Sequence, residues 1–503
     1  MKSVGSTVLS GLVLAFAVGE AIATGTLEFS LMKQKRADTE PLRRRDAVED
    51  DLIGDFNGQD GVAYYLNVSV GTPGQLQTVQ LDTGSSDFYF TASNSSFCDG
   101  TPGCAGGTFD PDKSSTFSVL QAGGFNTSFG DGSTDAGDYI TDVVQVGDLA
   151  ITGAVMGLAY QVNSTVGAQT GLMGIGYSIN EGVQPGQAPY PNFPESLVGA
   201  KAIASRFYSL FLNDISQVGS IIFGGVDTKK YTGNLVTLDF FPTTEDQVTN
   251  FIIAVTSIDV SQGGQSQTIY NRPFLVLPDS GSTAFTVPNS LYEAIVKLVN
   301  IDDDGTAPCN TIYTDTTFTL NLTGSQDTST TLSVPLSSMF TPAYTQDGSI
   351  AQDPTTGAAL CVLQVQPDTS DELGTIGFTT MGDSIMRSGY WAFDLDNGQL
   401  SVAQAAINAT DSNIVAVDAG PGMLAKAIDQ PARDTAPTQT AVVAQTATAT
   451  VAYSVATAAS TAGHATASAK PSKAAGARFG AGEGAAGVGG AAAVVAVAVG
   501  MVL

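Results

Sequence analysis

The sequence predicts an all-β protein, mainly antiparallel, built as two lobes related by an internal duplication, with a few short helices. Three observations predict it. Asp82-Thr83-Gly84-Ser85-Ser86, after the apolar Val79-Gln80-Leu81, returns 197 residues later as Asp279-Ser280-Gly281-Ser282-Thr283, after Leu275-Val276-Leu277-Pro278. That distance is too long for a hairpin and suits one copy per lobe. A second echo keeps the same order: Leu172-Met173-Gly174 ends 92 residues after Asp82, and Thr380-Met381-Gly382 ends 103 residues after Asp279. From about residue 60 to 412, short alternating runs such as Tyr64–Val70, Gln77–Leu81, Tyr139–Val146 and Gly219–Phe223 are separated by turns rich in Gly, Asn and Asp, the pattern of half-buried strands. The best helical stretch is Asn289–Asn300, where Leu291, Ile295, Val296 and Leu298 are apolar and Pro288 stands ahead.

Taken in order, the chain opens with Lys2 and an apolar run from Val8 to Val18, followed by Ala21-Ile22-Ala23. The run is too short to cross a bilayer and the small residues offer an A-x-A cleavage site, so residues 1–23 read as a signal peptide. Residues 24–45 are basic and end in Arg43-Arg44-Arg45 before an acidic stretch, which reads as a pro-segment with a processing site. Lys35-Arg36 is a second candidate site, and a disordered basic leader is the plain alternative. The N-terminal lobe is expected over 46–240 and the C-terminal lobe over 241–412. Residues 413–475 are expected to form a stalk, dominated by Thr, Ala and Ser from 432 to 473, a composition that builds no core and suits O-glycans. The small, uncharged tail Gly484–Leu503, behind Ala474-Ala475-Gly476-Ala477 and Arg478, fits a glycosylphosphatidylinositol signal over 476–503 better than a membrane span with basic flanks. Asn-x-Ser/Thr acceptors stand at Asn67, Asn94, Asn126, Asn163, Asn321 and Asn408, with Asn67 in a strand pattern.

Composition removes several chemistries. The chain of 503 residues carries a net charge of −28, and residues 1–45 hold 7 of its 20 basic residues but 4 of its 48 acidic ones. A body this acidic repels nucleic acid and anionic lipid, and it loses self-repulsion in an acidic medium. The one histidine, His464, lies in the stalk, which excludes a Ser-His-Asp triad, a Cys-His dyad or a His-ligated metal in the body. The four cysteines, Cys98, Cys104, Cys309 and Cys361, form no CxxC cluster. They allow three connectivities, and one close and one wide pair, one in each half, favour sequential pairing. Hydrolytic chemistry in the body is therefore left to carboxylates, hydroxyls or lysine. Two carboxylates held face to face share one proton, so one can act as base and the other as acid on a water molecule.

Leu81-Asp82-Thr83-Gly84-Ser85-Ser86-Asp87 resembles the first active-site motif of the pepsin-like aspartic proteases, and Pro278-Asp279-Ser280-Gly281-Ser282-Thr283 resembles the second. Tyr64–Pro73 is similar to the strand and turn before the first motif, Phe129-Gly130-Asp131-Gly132-Ser133 to the flap, and Gly382-Asp383-Ser384-Ile385-Met386-Arg387 to the late motif of the second lobe. The resemblance covers about 60 to 412. With Ile221–Asp227, Lys230–Leu238, the pro-segment and the tail, it looks most like the fungal secreted and cell-surface branch, yapsin-like and candidapepsin-like. It implies the bilobal pepsin-like fold and an aspartic endopeptidase acting at acid pH on polypeptides, without metal or cofactor, as a monomer on the secretory route to the cell surface. It implies Asp82 and Asp279 as the catalytic pair. Gly84 and Gly281 would let the backbone turn tightly, Ser85 and Ser282 would hold the outer carboxylate oxygens, and Thr283, Tyr89, Phe129, Gly130 and Asp131 would support the site and substrate.

The chain departs from that family at three positions. Phe129 stands where the family's flap carries Tyr, Tyr89 where it carries Trp, and Pro278 puts a residue without an N–H directly before the second acid. The link between flap hydroxyl and indole N–H is thereby lost or rerouted. Two other readings compete. A glycosidase also works with two acids, but it leaves the duplication unexplained, and Trp391 is the only tryptophan available to stack sugars. A catalytically weak or dead family member, acting as a cell-wall binding or structural glycoprotein, would keep the fold, and the presence of both acids weighs against it.

Overall fold

The computed structural model describes residues 27–35, 62–431 apart from short loop stretches, and 454–457. The expected signal peptide, the Arg43-Arg44-Arg45 site, most of the stalk and the anchor signal lie outside the described residues. Almost every element is a strand, as the alternation predicts, and the helices are short: Phe193–Gly199, Asn289–Val299, Cys309–Ile312, Asp383–Met386 and Met423–Ala427. Asn289–Val299 is the longest. It buries Leu291 and Ile295 on one face, so the apolar spacing of that stretch does specify a helix.

The two active-site turns leave the ends of equivalent strands. Gln75–Asp82 pairs in parallel with Gly171–Gly174, in the register Val79 to Gly171 and Asp82 to Gly174. Phe274–Pro278 pairs in parallel with Thr379–Met381, with Pro278 opposite Met381. This accounts for the second sequence echo. Each Met-Gly pair closes the lobe's parallel pairing, and its glycine lies under the active-site loop. A Cβ on Gly174 would fall 2.6 Å from the Ser86 backbone, and one on Gly382 would fall 2.5 Å from the Thr283 carbonyl carbon. Pro278 is tolerated because it ends its strand, and the contact continues through the Asp279 N–H, which donates to the Met381 carbonyl at 3.0 Å.

The N-terminal lobe also carries a long hairpin, Ser118–Ser128 and Thr134–Val146, whose tip is Phe129–Ser133. Behind it lies Leu149–Asn163. The C-terminal lobe is an eight-stranded sheet in which Ile253–Gln262 sits between Thr317–Thr323 and Phe274–Pro278. The lobes are not separate at 240/241. Gly389–Asp394, from the end of the body, pairs with Phe207–Phe211, and Gln399–Ala405 pairs with Tyr231–Asp239. The last strands of the second half thus complete a sheet begun by the first. Trp391 is fully buried there, with its Nε1 donating to the Met386 carbonyl at 2.7 Å. The late motif forms the helix Asp383–Met386, with Arg387 Nη1 3.4 Å from Asp383 Oδ1.

Two segments differ from the sequence reading. Within the expected pro-segment, Leu27–Lys35 is a strand between Gly219–Phe223 and Val62–Val70. The body also continues past 412, so the stalk does not begin at 413. Ile414–Ala416 pairs with Gly225–Asp227, and Val417 is buried in a cluster with Phe207, Leu235 and Tyr390, against which Met423 and Leu424 also pack. These few apolar residues sit in a stretch whose composition already drifts toward the stalk, and only the surface they cover reveals them. Ser454–Thr457 pairs along Leu149–Thr152.

The cysteines pair sequentially, Cys98 with Cys104 and Cys309 with Cys361. Among the glycan acceptors, Asn94, Asn126, Asn163 and Asn408 are exposed. Asn67 and Asn321 are half-buried and engaged: Asn67 Oδ1 accepts from the Thr78 hydroxyl at 2.8 Å, and Asn321 Nδ2 donates to Ser257 Oγ at 2.9 Å.

Candidate active site

Asp82 and Asp279 meet at the seam between the lobes, each in the same cradle. The Gly84 N–H donates to Asp82 Oδ1 at 2.7 Å and the Ser85 hydroxyl to Oδ2 at 2.5 Å. The Gly281 N–H donates to Asp279 Oδ1 at 2.8 Å and the Ser282 hydroxyl to Oδ2 at 2.8 Å. The two carboxyls lie close enough for each to act on the other. Burial, and after it the charge of Asp82, pushes the Asp279 carboxyl well above the ordinary carboxylate range. Like charges in contact cannot both ionise freely, so the pair holds one proton in common.

The two glycines do more than turn the chain. A Cβ on Gly84 would stand 2.6 Å from the Asp279 carboxyl carbon, and one on Gly281 would stand 2.5 Å from Asp82 Oδ1. Each lobe's glycine makes room for the other lobe's acid.

Residues the sequence reading left out lock the turns together. The Thr83 N–H donates to Ser280 Oγ at 3.1 Å, and the Ser280 N–H donates to Thr83 Oγ1 at 2.9 Å. The Thr83 hydroxyl then donates to the Pro278 carbonyl at 2.8 Å, and the Ser280 hydroxyl to the Leu81 carbonyl at 2.9 Å. Both side chains are buried, so these bonds work away from solvent competition. The repeat of a hydroxyl residue after each acid was the available signal. Gln80 adds a third crossing, with Nε2 donating to the Gly281 carbonyl at 2.7 Å. Thr283 lies partly exposed in its turn and offers its carbonyl to the Ser384 N–H at 3.2 Å.

Phe129 and Gly130 sit half-exposed at the hairpin tip, with Asp131 exposed beside them. The Phe129 ring lies over Tyr89, centroids 6.3 Å apart and planes 29° from parallel. Tyr89 in turn packs on Phe125 at 5.1 Å. The directed link expected between flap and neighbour is rerouted: the Tyr89 hydroxyl lies toward the buried side chains of Asp135, at the start of the returning strand, and Gln169, in the short strand Ala168–Gln169. Behind the first turn, Asp87 Oδ1 accepts from the hydroxyls of Tyr139 (2.9 Å) and Tyr190 (2.7 Å), and Oδ2 from the Gly182 N–H at 2.7 Å. Burial raises the Asp87 carboxyl, and it raises the nearby Glu181 well above its ordinary range, with the Asp87 charge adding to the effect.

Among the described residues no group of three or more His, Cys, Asp or Glu side chains is placed to hold a metal ion. Two acids sharing a proton can activate water against a carbonyl group. Residues 63–405 match the family described as eukaryotic aspartyl protease. A probable aspartic-type endopeptidase of Aspergillus fumigatus is 33% identical over 74% of this chain and 74% of its own. Secreted aspartic protease 3 of Candida albicans is 32% identical over 71% of this chain and 82% of its own. Aspartic proteinase yapsin-3 of Saccharomyces cerevisiae is 28% identical over 79% and 76%. The crystal structure of an aspartic proteinase from Irpex lacteus shares the fold, with a TM-score of 0.54 over 70% of this chain and 96% of that one, at 19% identity. The chain belongs to the eukaryotic aspartyl protease family and is a pepsin-like aspartic-type endopeptidase.

Proposed function

We propose that Asp82 and Asp279 are the catalytic pair of this endopeptidase. The observation that carries the reading is the matched cradle around two carboxyls in contact across the lobe seam. A water bound between them gives a proton to the ionised carboxylate as its oxygen attacks the scissile carbonyl. The carboxyl that holds the shared proton donates it to the carbonyl oxygen. The resulting tetrahedral species collapses when a proton passes to the leaving nitrogen. The protons belong to the pair, so neither acid is the permanent donor. Gly84, Ser85, Gly281 and Ser282 hold the carboxyls in place, and the Phe129–Ser133 tip covers the substrate and excludes water.

The test is to incubate purified protein with a peptide library at acid pH. Asp82→Asn and Asp279→Asn should each cost several orders of magnitude in rate with the fold retained. Activity that survives either change, or that a chelator abolishes, overturns the assignment.

We also infer a precursor with a signal peptide over 1–23, a pro-segment over 24–45 cut after Arg45, and an anchor signal over 476–503 that holds the enzyme at the cell surface as a monomer. The sequence motifs support this, as does the likeness to the secreted aspartic protease of Candida albicans. A cut after Arg45 would also separate Leu27–Lys35 from the chain that follows it. N-terminal sequencing that starts near Asp46, and release of the protein by a phosphatidylinositol-specific phospholipase, are the expected results.

A further inference from the structure

Phe129 carries no hydroxyl, and the hydroxyl of Tyr89, the ring stacked against it, lies toward Asp135 and Gln169. Ring stacking is attractive but weakly directional, so something else must fix where the tip sits. The structure offers a clasp on the neighbouring segment. The Thr165 hydroxyl donates to Asp131 Oδ2 at 2.7 Å, and the Thr165 N–H donates to Ser133 Oγ at 3.1 Å. Ser133 completes the knot, its hydroxyl donating to Asp131 Oδ2 at 2.8 Å and its N–H to Asp131 Oδ1 at 2.8 Å. The same segment grips the base of the flap: Gln169 Nε2 donates to Asp135 Oδ2 at 2.9 Å, and both side chains are buried. The tip and the base of the hairpin are thus held from one side by Thr165 and Gln169.

We propose that Thr165 is a positioning residue for the flap, supplying through Asp131 and Ser133 the directed contact that Phe129 and Tyr89 do not make with each other. It touches neither substrate nor the acids. The inference rests on the reading of Asp82 and Asp279 as the catalytic pair. Charge-assisted bonds to a carboxylate are the stronger kind, and they set geometry as well as energy. The clasp is already closed in the free enzyme. Its loss therefore frees the tip before substrate arrives, and substrate and transition state alike must re-order it. That places the cost on KM rather than on kcat.

Thr165 is also the hydroxyl residue of the acceptor sequence Asn163-Ser164-Thr165, so any change that removes its hydroxyl also removes a glycan site. The experiment separates the two. Full-length enzyme from a glycosylating host is assayed on one long peptide as wild type, Thr165→Val, Thr165→Ser and Asn163→Gln, with Asp82→Asn alongside. Thr165→Val is expected to raise KM about tenfold with kcat nearly unchanged and the melting temperature close to wild type. Thr165→Ser keeps both hydroxyl and acceptor sequence and should restore KM. Asn163→Gln loses only the glycan site and should keep a KM close to wild type. An unchanged KM in Thr165→Val overturns the proposal, as does an equal rise in Asn163→Gln or a loss confined to kcat. Activity surviving Asp82→Asn would instead overturn the dyad, and it leaves the KM comparison standing as a reading of the clasp.

Discussion

Five residues beyond the first acid stands Asp87, and five beyond the second stands Ala284. Their backbones do the same thing: the Asp87 carbonyl accepts from the Gly174 N–H at 2.8 Å, and the Ala284 carbonyl from the Gly382 N–H at 3.0 Å. Their side chains do not. Asp87 is the buried hub for Tyr139, Tyr190 and Gly182, whereas Ala284 has no polar group to offer. Tyr139 belongs to the returning strand of the long hairpin Ser118–Ser128 and Thr134–Val146. The duplication therefore kept the backbone frame that holds each acid. Side chains diverged beside that hairpin, where buried carboxyls such as Asp87, Glu181 and Asp135 gather.

The symmetric part can be broken from either side. Gly84→Ala should displace Asp279, and Gly281→Ala should displace Asp82, because each new methyl lands on the opposite acid. Misplacement of this size costs about 100-fold in rate, so each change should lower kcat/KM by about that factor in a peptide cleavage assay. A fully active variant would show that the contact yields. A smaller effect tests the cradle hydroxyls. Ser85→Ala and Ser282→Ala each remove one bond to a carboxylate, which corresponds to roughly tenfold or somewhat more in kcat/KM. Equal losses would confirm that the lobes share the work. A loss confined to one of the two serines would show that the cradles do not share it.

The asymmetric part is sharpened at the flap. Phe129→Tyr with Tyr89→Trp would rebuild a hydroxyl-to-indole bond, worth up to about tenfold in kcat/KM if it acts only in the closed state. Tyr89→Trp also gives up the contact with Asp135 and Gln169, so that single change should lose activity while the double recovers it. Coupling in this double-mutant cycle is the expected outcome. Its absence would mean the existing contacts already hold the flap.

The smallest effect concerns pH. Burial raises the carboxyls of Asp87, Asp135, Glu181 and Glu195, and it pushes Asp394 up to about 6. An acid whose folded pKa exceeds its unfolded value binds its proton more tightly when folded. Its contribution is complete below the unfolded value and is lost as pH rises through the folded one. For Asp394 that window runs from about 4 to about 6. The melting temperature should therefore fall as pH rises across that window, and Asp394→Asn should flatten part of the slope. A melting temperature that rises with pH there would contradict the burial argument.

Much of the site was legible because duplication writes the same constraint twice. Asp82 and Asp279, their glycines and their serines could be picked out by comparing the chain with itself, and the Met-Gly echo pointed to the strands that close each frame. The hydroxyls of Thr83 and Ser280 were visible as a repeated residue type, but their interlock was not, because it joins side chains to a backbone nearly two hundred positions away. The rerouting of Tyr89 was illegible for the same reason: Asp135 and Gln169 carry no local mark of facing it. Leu27–Lys35 was read as part of a pro-segment and not as a strand, since a strand's partners, here Gly219–Phe223 and Val62–Tyr65, are not written in its own residues.

By itself the sequence determined the chemistry and the period of the fold. Alternating apolar residues demand strands, a body without histidine rules out histidine-based catalysis, and two matched turns demand two matched halves. Only the tertiary structure decided how the halves join: the last strands complete the first half's sheet, each glycine yields space to the other lobe's acid, and Ile414–Val417 finds a surface to cover. The physical reason is range. Periodicity, turn chemistry and residue type act over a few bonds and are written locally. Packing, crossed hydrogen bonds and the sharing of a proton depend on distances that exist only once the chain has closed.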